Sequence, residues 1–290
     1  MNAIPDSELI INPDGTIYHL HLRPEHISDT IITVGDQTRV AEISKHFDSI
    51  EHIVQNREFL THTGMLGPKR LTVISTGIGT DNIDIVLNEL DALVNIDFQR
   101  RTIKNDITKL TIIRLGTSGA VSEDVDLDSI LLSEAGIGID SLMDYYMQPL
   151  AGEEKELAAA FREHIAVSLP HTYPYASFAD KDLLSRFTAM GTKGLTVTAP
   201  GFYAPQGRQL RSRNQSAGLI QLIHSFRYLH YSITNLEMET AGIYALGSHL
   251  GHRCLSINAI LAHRISGQFS ANPKRIIDDM IIRALEILAS

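Results

Sequence analysis

Short apolar runs that alternate with amphipathic stretches predict a single α/β domain, with a largely parallel or mixed sheet covered by helices on both faces. The strands are expected at Thr30–Val34 and at 71–75, 111–115, 129–133, 195–199 and 253–262. Several of these are apolar at nearly every position, as in strands buried on both faces. Between them lie helical patterns. One passes through Val40, Ile43 and Phe47. A second places Ile83, Val86, Leu87, Leu90 and Val94 at helical spacing after Asp81, which reads as its N-cap. Residues 153–167 and 276–288 read as two more. Residues 168–179, rich in Pro, Tyr and Ser, read as a loop. Residues 265–273 are polar and breaker-rich and follow an apolar strand, so they read either as a lid over a site or as a plain surface loop. With no internal repeat and no low-complexity linker, all 290 residues are assigned to one domain.

The bulk numbers exclude several classes. Hydrophobic residues at 43% and charged residues at 20% are an ordinary globular balance. A formal charge of −9 argues against non-specific nucleic-acid binding, and an anionic substrate would need a local cluster of arginines. The single cysteine, Cys254, cannot form an intrachain disulfide and sits in an apolar run, which points to burial rather than reactivity. No histidine–cysteine spacing suggests zinc. The start, Met1-Asn2-Ala3-Ile4-Pro5, has no basic region before an apolar core, and no run is long enough to span a membrane. The expectation is a soluble cytoplasmic protein.

Chemistry concentrates where glycine and arginine meet strand ends. Val34-Gly35-Asp36-Gln37-Thr38-Arg39 places a glycine after a strand and an arginine four residues on, a pattern that suits an anion and that also occurs in purely structural turns. Ser75-Thr76-Gly77-Ile78-Gly79-Thr80-Asp81 has no basic residue nearby and reads as tight packing. Arg114-Leu115-Gly116-Thr117-Ser118-Gly119-Ala120 reads as a third glycine turn. Its arginine ends an apolar strand and is costly to bury unless an anion meets it. Arg39 and Arg114, both near strand ends, therefore suggest a phosphate site, with ordinary ion pairs as the alternative. Asn235-Leu236-Glu237-Met238-Glu239 carries two carboxylates at a helix start. They read first as dipole partners, or else one accepts from the vicinal hydroxyls of a sugar. Phe202-Tyr203-Ala204-Pro205-Gln206-Gly207-Arg208 is either a surface turn or an amide and a guanidinium facing a planar imide edge.

Five of these segments, in this order, resemble the signatures of the uridine phosphorylase branch of the nucleoside phosphorylase superfamily. They are Gly35-Asp36-Gln37-Thr38-Arg39-Val40, Asn56-Arg57-Glu58-Phe59, Ser75-Thr76-Gly77-Ile78-Gly79, Arg114-Leu115-Gly116-Thr117-Ser118-Gly119 and Leu236-Glu237-Met238-Glu239-Thr240. The resemblance spans residues 17 to 288. It implies a mixed, partly barrel-like sheet flanked by helices, and a homo-oligomer, dimer or hexamer, whose active sites are shared between subunits. It gives Gly35, Arg39, Arg57, Arg114 and Thr117 to phosphate, with Arg57 lent by a neighbouring subunit. Ribose contacts fall to His19, Met238, Glu239 and Thr117, with His19 reaching across subunits. The base falls to Phe202, Gln206, Arg208, Arg264 and Gly119. Arg114, Glu239 and Arg208 are the catalytic set. No organic cofactor is implied. Inorganic phosphate is a substrate, and some relatives hold potassium where Glu58, Ile78 and Asn82 stand.

The reaction the resemblance implies is phosphorolysis of uridine to uracil and ribose 1-phosphate, in pyrimidine nucleoside salvage. Two departures bear on base preference. Ala262-His263-Arg264-Ile265 has His263 where such enzymes usually have Asn, and Ala204-Pro205 replaces a Pro-Gly. A purine nucleoside phosphorylase would want an acid after the late strand, where His263-Arg264-Ile265-Ser266-Gly267 has none. A hydrolytic nucleosidase has no need of phosphate arginines. A non-catalytic nucleoside-binding protein on the same fold has no need of that full set together with Glu239.

Overall fold

A computed structural model describes residues 3–147, 152–215 and 218–290. Met1 and Asn2, on which part of the N-terminal reading falls, lie outside these. The chain begins with β1 (Thr30–Val34), α1 (Gln37–Ser44), β2 (Ser49–Asn56), β3 (Phe59–Leu66), β4 (Lys69–Ser75) and α2 (Thr80–Asn95). A small ladder follows, β5 (Ile96–Asp97) with β6 (Thr102–Ile103), then β7 (Thr111–Ala120), β8 (Ile130–Gly138) and α3 (Gly152–Ile165). Next come β9 (Tyr175–Phe178), α4 (Lys181–Phe187), β10 (Thr192–Thr198), α5 (Leu219–Ser225), β11 (Arg227–Tyr228) and β12 (Tyr231–Glu237). The chain closes with α6 (Thr240–His249), β13 (Arg253–His263), β14 (Gln268–Phe269) and α7 (Pro273–Ala289).

The sheet is mixed, and half of it closes on itself. β7 pairs β13, β13 pairs β8, β8 pairs β10, β10 pairs β12, and β12 returns to β7 through Asn235↔Ala120 and Leu236↔Gly119. This ring of five strands is the barrel-like part. From β7 the sheet opens outward through β1, β4, β3 and β2. One apolar core packs α2, α4, α6 and α7 against the open sheet, and a second packs α3 and α5 against β10 and β12. Ser133, Thr196, Asn235 and Asn258 are fully buried in the ring. Asn258 donates to Ser133 at 3.1 Å, Ser133 and Thr196 lie 2.6 Å apart, Thr196 donates to Asn235 at 2.8 Å, and Asn235 donates to Ser118 at 2.9 Å. Each polar group is met by the next, which offsets the desolvation of a polar interior.

The expected strands all exist, with several bounds corrected. The strand read at 111–115 runs on to Ala120, so Gly116–119 is strand and not a turn. Its glycines serve close approach inside the ring rather than a reversal. β8 extends the strand read at 129–133, and β10 begins before residue 195. Asp81 is not the N-cap of α2. Gly79, at φ 98°, holds that place, and Asp81 adds its charge to the first turn. Residues 168–179, read as loop, contain β9. Phe47 lies beyond the end of α1. In the segment 265–273, β14 folds back on β13 through Ala262↔Phe269 and His263↔Gln268, so this part is a hairpin. Cys254 is buried as expected, and burial pushes its thiol up to about 12. Among the described residues no helix is long and apolar enough to cross a membrane.

Tyr244 of α6 ties two barrel strands together. Its hydroxyl donates to the Ser133 carbonyl at 2.6 Å and accepts from the Ser256 amide at 2.7 Å. Tyr244→Phe strands both buried groups and is expected to cost about 1–3 kcal/mol. A fall in the urea midpoint of the variant checks this, and an unchanged midpoint contradicts it.

Candidate active site

Local folding at the carboxyl end of β1 aims Arg39 inward. The Asp36 carboxylate accepts from the Thr38 amide at 2.9 Å and caps α1, and that bond holds its pKa below the ordinary value. Arg39, one residue on, then enters a cavity of about 600 Å³ lined by residues from Gly35 to Arg39, from β7, from β12 and the start of α6, and from residues 202–208. Arg39 donates to the Leu115 carbonyl at 3.3 Å and forms no ion pair among the described residues. Burial first, and the neighbouring Arg114 second, pull its pKa down, with Asp36 and Glu42 offsetting part of that. A guanidinium held this way lacks an anion.

Arg114 is different. Its Nη2 lies 2.5 Å from Glu239 Oε2 and 3.1 Å from Glu237 Oε2, and its Nη1 donates to Asn258 Oδ1 at 2.8 Å. All three charged side chains are under 10% exposed. Burial alone would lower the pKa of Arg114, but the two carboxylates outweigh it and hold it above the ordinary value. Carboxylates of its own chain meet Arg114, so the ion-pair alternative left open by the sequence is present beside the place the resemblance gives it at phosphate. Gly116 makes this possible. A Cβ there would stand 1.9 Å from Arg114 Nη1, so the guanidinium lies across the glycine two residues along its own strand.

The two carboxylates divide the roles that the sequence left open. Glu237 ends β12 and accepts from the Glu239 amide at 2.9 Å, the Thr240 amide at 3.0 Å and the Thr198 hydroxyl at 2.7 Å, so it is the dipole partner of α6. Glu239 lines the cavity, with Oε1 accepting from the Gly79 amide at 2.8 Å. Burial raises its pKa, Arg114 opposes that rise, and Glu237 adds to it. The turn 75–81, read as mere packing, therefore anchors Glu239, and Gly77 and Ile78 also line the cavity.

At the other end a short turn over Ala204–Gln206, closed by Gly207 at φ 67°, gathers the base-type residues. Arg208 donates to the Phe202 carbonyl at 2.7 Å and to Gln206 Oε1 at 2.5 Å, and stacks 3.7 Å from the centre of the Phe202 ring. The Gln206 amide, 2% exposed, is thereby oriented with its NH2 as the donor. Thr117, Ser118, Gly119 and Met238 line the cavity with them. Arg264 does not. Its Cγ lies 3.3 Å from where a Cβ on Gly119 would stand.

His19 and Arg57 lie apart from this chain's own cavity. His19 Nδ1 is 2.7 Å from Glu89 Oε1, the His19 carbonyl accepts from Asn56, and Arg57 lies 5.5 Å from the Tyr18 ring centre. They form one cluster beside Tyr18. Glu58, Ile78 and Asn82 meet around Gly77, where an added Cβ would stand 2.3 Å from Asn82 Nδ2 and 3.3 Å from Glu58 Cγ. Their acid and amide oxygens are of the type a hard monovalent cation takes. Among the described residues no cluster of three or more His, Cys, Asp or Glu could hold a metal ion. The sequence reading did not single out Asn258, for which a polar residue inside an apolar run was the available signal. Phe269, also on the cavity wall, reaches it only through the β13–β14 hairpin.

The chain is similar to known proteins along most of its length. The family model described as "Phosphorylase superfamily" matches residues 29–288. A uridine phosphorylase of Thermococcus kodakarensis is 24% identical over 283 residues, covering 95% of this chain and 88% of the relative. A DeoD-type purine nucleoside phosphorylase of Listeria innocua is 27% identical over 274 residues, covering 92% and 97%. The crystal structure of a Trypanosoma brucei nucleoside phosphorylase, described as showing uridine phosphorylase activity, superposes with a TM-score of 0.88 at 29% identity, over 97% of this chain and 98% of that one. A uridine phosphorylase of Phytophthora capsici shares the fold, with a TM-score of 0.70 at 21% identity over 99% and 98%.

Gly116→Ala is expected to drive Arg114 off its carboxylates and to destabilise the protein by about 3–5 kcal/mol, as breaking a buried pair does. Gly35→Ala, whose Cβ would meet only the Gly77 carbonyl at 3.5 Å, should stay within about 1 kcal/mol. Thermal unfolding of the two variants side by side checks this, and equal midpoints contradict it.

Proposed function

The chain belongs to the phosphorylase superfamily, and from that premise we propose that it is a uridine phosphorylase, cleaving uridine with inorganic phosphate to uracil and ribose 1-phosphate. The observation that carries the reading is Arg39, half-buried at the cavity wall with no ion pair among the described residues, beside an Arg114 whose charge is already met. Phosphate binds Arg39, the Gly35 turn and Thr117, within the positive field of Arg114. Glu239 is aimed by Arg114 and the Gly79 amide, and together with Met238 it holds the ribose through its vicinal hydroxyls. As the glycosidic bond stretches, C1′ gains positive and the base negative charge. Arg208 and Gln206 stand where the negative charge develops, so they need no reorganisation during reaction. Binding phosphate and nucleoside side by side supplies much of the remaining acceleration.

A neighbouring copy lends His19 and Arg57, which this chain gathers beside Tyr18 and away from its own cavity. The protein works as a homo-oligomer in the cytoplasm, in pyrimidine nucleoside salvage. A potassium ion at Glu58, Ile78 and Asn82 is part of the same proposal and takes no part in the reaction. The purine reading has support from relatives at 25–27% identity. Against it, the base end carries an amide and guanidinium groups, whereas a purine N7 calls for an acid.

Arg208→Ala is expected to lower uridine turnover by about 10²–10³, the usual loss of one such donor, while leaving phosphate binding largely intact. Arg39→Gln should do the reverse, raising the KM for phosphate far more than that for uridine. Steady-state kinetics with each substrate varied in turn checks both. Unchanged uridine kinetics in Arg208→Ala would sink the base-site assignment.

A further inference from the structure

Fully buried side chains join Arg114 to Ser118 across the inside of the ring, and the hydrogens along this path run one way. A guanidinium can only donate, so Arg114 Nη1 fixes Asn258 Oδ1 as an acceptor and turns the Asn258 NH2 towards Ser133. Ser133 Oγ accepts there. Its own hydrogen has one acceptor in reach among the described residues, Thr196 Oγ1 at 2.6 Å. Thr196 then passes its hydrogen to Asn235 Oδ1, which leaves the Asn235 NH2 for Ser118 Oγ at 2.9 Å. Ser118 ends the path with a hydrogen that no group among the described residues accepts. The path thus holds one hydrogen more than it has acceptors. Run in reverse, it would leave the surplus on Ser133, which is 0% exposed, at a cost of about 1–3 kcal/mol. Run forward, the surplus surfaces at Ser118, on the cavity wall.

Ser118 stands on β7 between Thr117 and Gly119, which the uridine reading gives to the phosphate and sugar and to the base. Its donor therefore falls at the junction of sugar and base. In a pyrimidine nucleoside the acceptor at that junction is the 2-oxo group, on the ring carbon next to the glycosidic nitrogen. We propose that Ser118 donates to this carbonyl and is a specificity-determining residue for 2-oxo pyrimidine nucleosides. Asn258, Ser133, Thr196 and Asn235 are positioning residues that keep its hydroxyl a donor. The inference rests on the uridine reading above. An ordinary serine can rotate to donate or to accept. Here Asn235 donates to the oxygen and no other group in the described chain takes the hydrogen, so a ligand carbonyl meets a donor already in place. An analogue with a poor acceptor at that position leaves the donor unmet, and that is how such a site discriminates. The guanidinium that aims Glu239 at the sugar thereby also sets the polarity of a donor at the base.

The test is steady-state phosphorolysis of uridine, 2-thiouridine and 4-thiouridine by the whole protein, read as ratios of kcat/KM. Sulfur accepts hydrogen bonds more weakly than oxygen, and comparing ratios between variants cancels the intrinsic reactivity of each nucleoside. Ser118→Ala is expected to lower the uridine to 2-thiouridine ratio by about 3–10-fold, the weight of one hydrogen bond, and to leave the uridine to 4-thiouridine ratio at the wild-type value. Ser118→Thr keeps the hydroxyl and should keep both ratios. Asn235→Asp offers only acceptors to the hydroxyls of Thr196, Thr234 and Ser118, and so turns the Ser118 hydrogen inward. It should lower the 2-thio ratio as Ser118→Ala does, although the serine is intact. A merely structural loss would slow all of these nucleosides by one factor and move neither ratio. A wild-type 2-thio ratio in Ser118→Ala overturns the inference and leaves the uridine reading standing. A wild-type ratio in Asn235→Asp overturns the role given to the buried path. A wild-type protein that turns over none of these nucleosides overturns both the inference and the uridine reading.

Discussion

The guanidinium of Arg114 lies inside a ring of five strands, where leaving its charge unmatched would cost about 3–5 kcal/mol. Much of the surrounding architecture answers to that constraint. Gly116 leaves the space the guanidinium fills, and Asn258 on the neighbouring strand takes one of its N–H groups. Glu237 and Glu239 supply the charge. Each is in turn held by a helix start, Glu237 by the first amides of α6 and Glu239 by the Gly79 amide before α2. The pairing therefore fastens two helices to the barrel, and it sets the orientation of a carboxylate facing the cavity. Such pairs contribute little net stability, but breaking one is expensive, so the geometry is strongly specified.

Arg39 and Arg208, which lack this compensation, line the same cavity. A chain of net charge −9 thus presents local positive charge where an anionic substrate would enter, as its composition required of any such substrate. The wall here is also the less regular part of the structure: a short turn at 204–206 and the β13–β14 hairpin carrying Phe269, which is 66% exposed. The floor is held by buried charge, and the rim by segments with few buried contacts.

The parts of the fold with a clear hydrophobic period were legible. β1 falls on its expected bounds, and α2 buries the Ile83, Val86, Leu87 and Leu90 stripe. Ring closure was not legible from periodicity, because β12 reads Tyr-Ser-Ile-Thr-Asn-Leu-Glu and the inside of the ring is hydroxyl and amide rather than apolar. Only the family resemblance anticipated a barrel-like sheet. Gly116–119 read as a turn because glycine density usually marks one. Here the glycines make room for Arg114 and for the stem of Arg264. At the site, Gln206 and Arg208 are two residues apart, and the structure does bring them together. The division of labour between Glu237 and Glu239 needed three dimensions, since both sit beside one helix start and only the partner amides tell them apart.

The central claim is that the uncompensated arginines hold phosphate and a departing pyrimidine in one cavity. Its most direct test is release of uracil from uridine by the purified protein, followed with and without inorganic phosphate, with inosine as a competing nucleoside. The account predicts release that requires phosphate, yields ribose 1-phosphate in equal amount and is little affected by inosine. Release that proceeds equally in water alone, or turnover of inosine in preference to uridine, would contradict it.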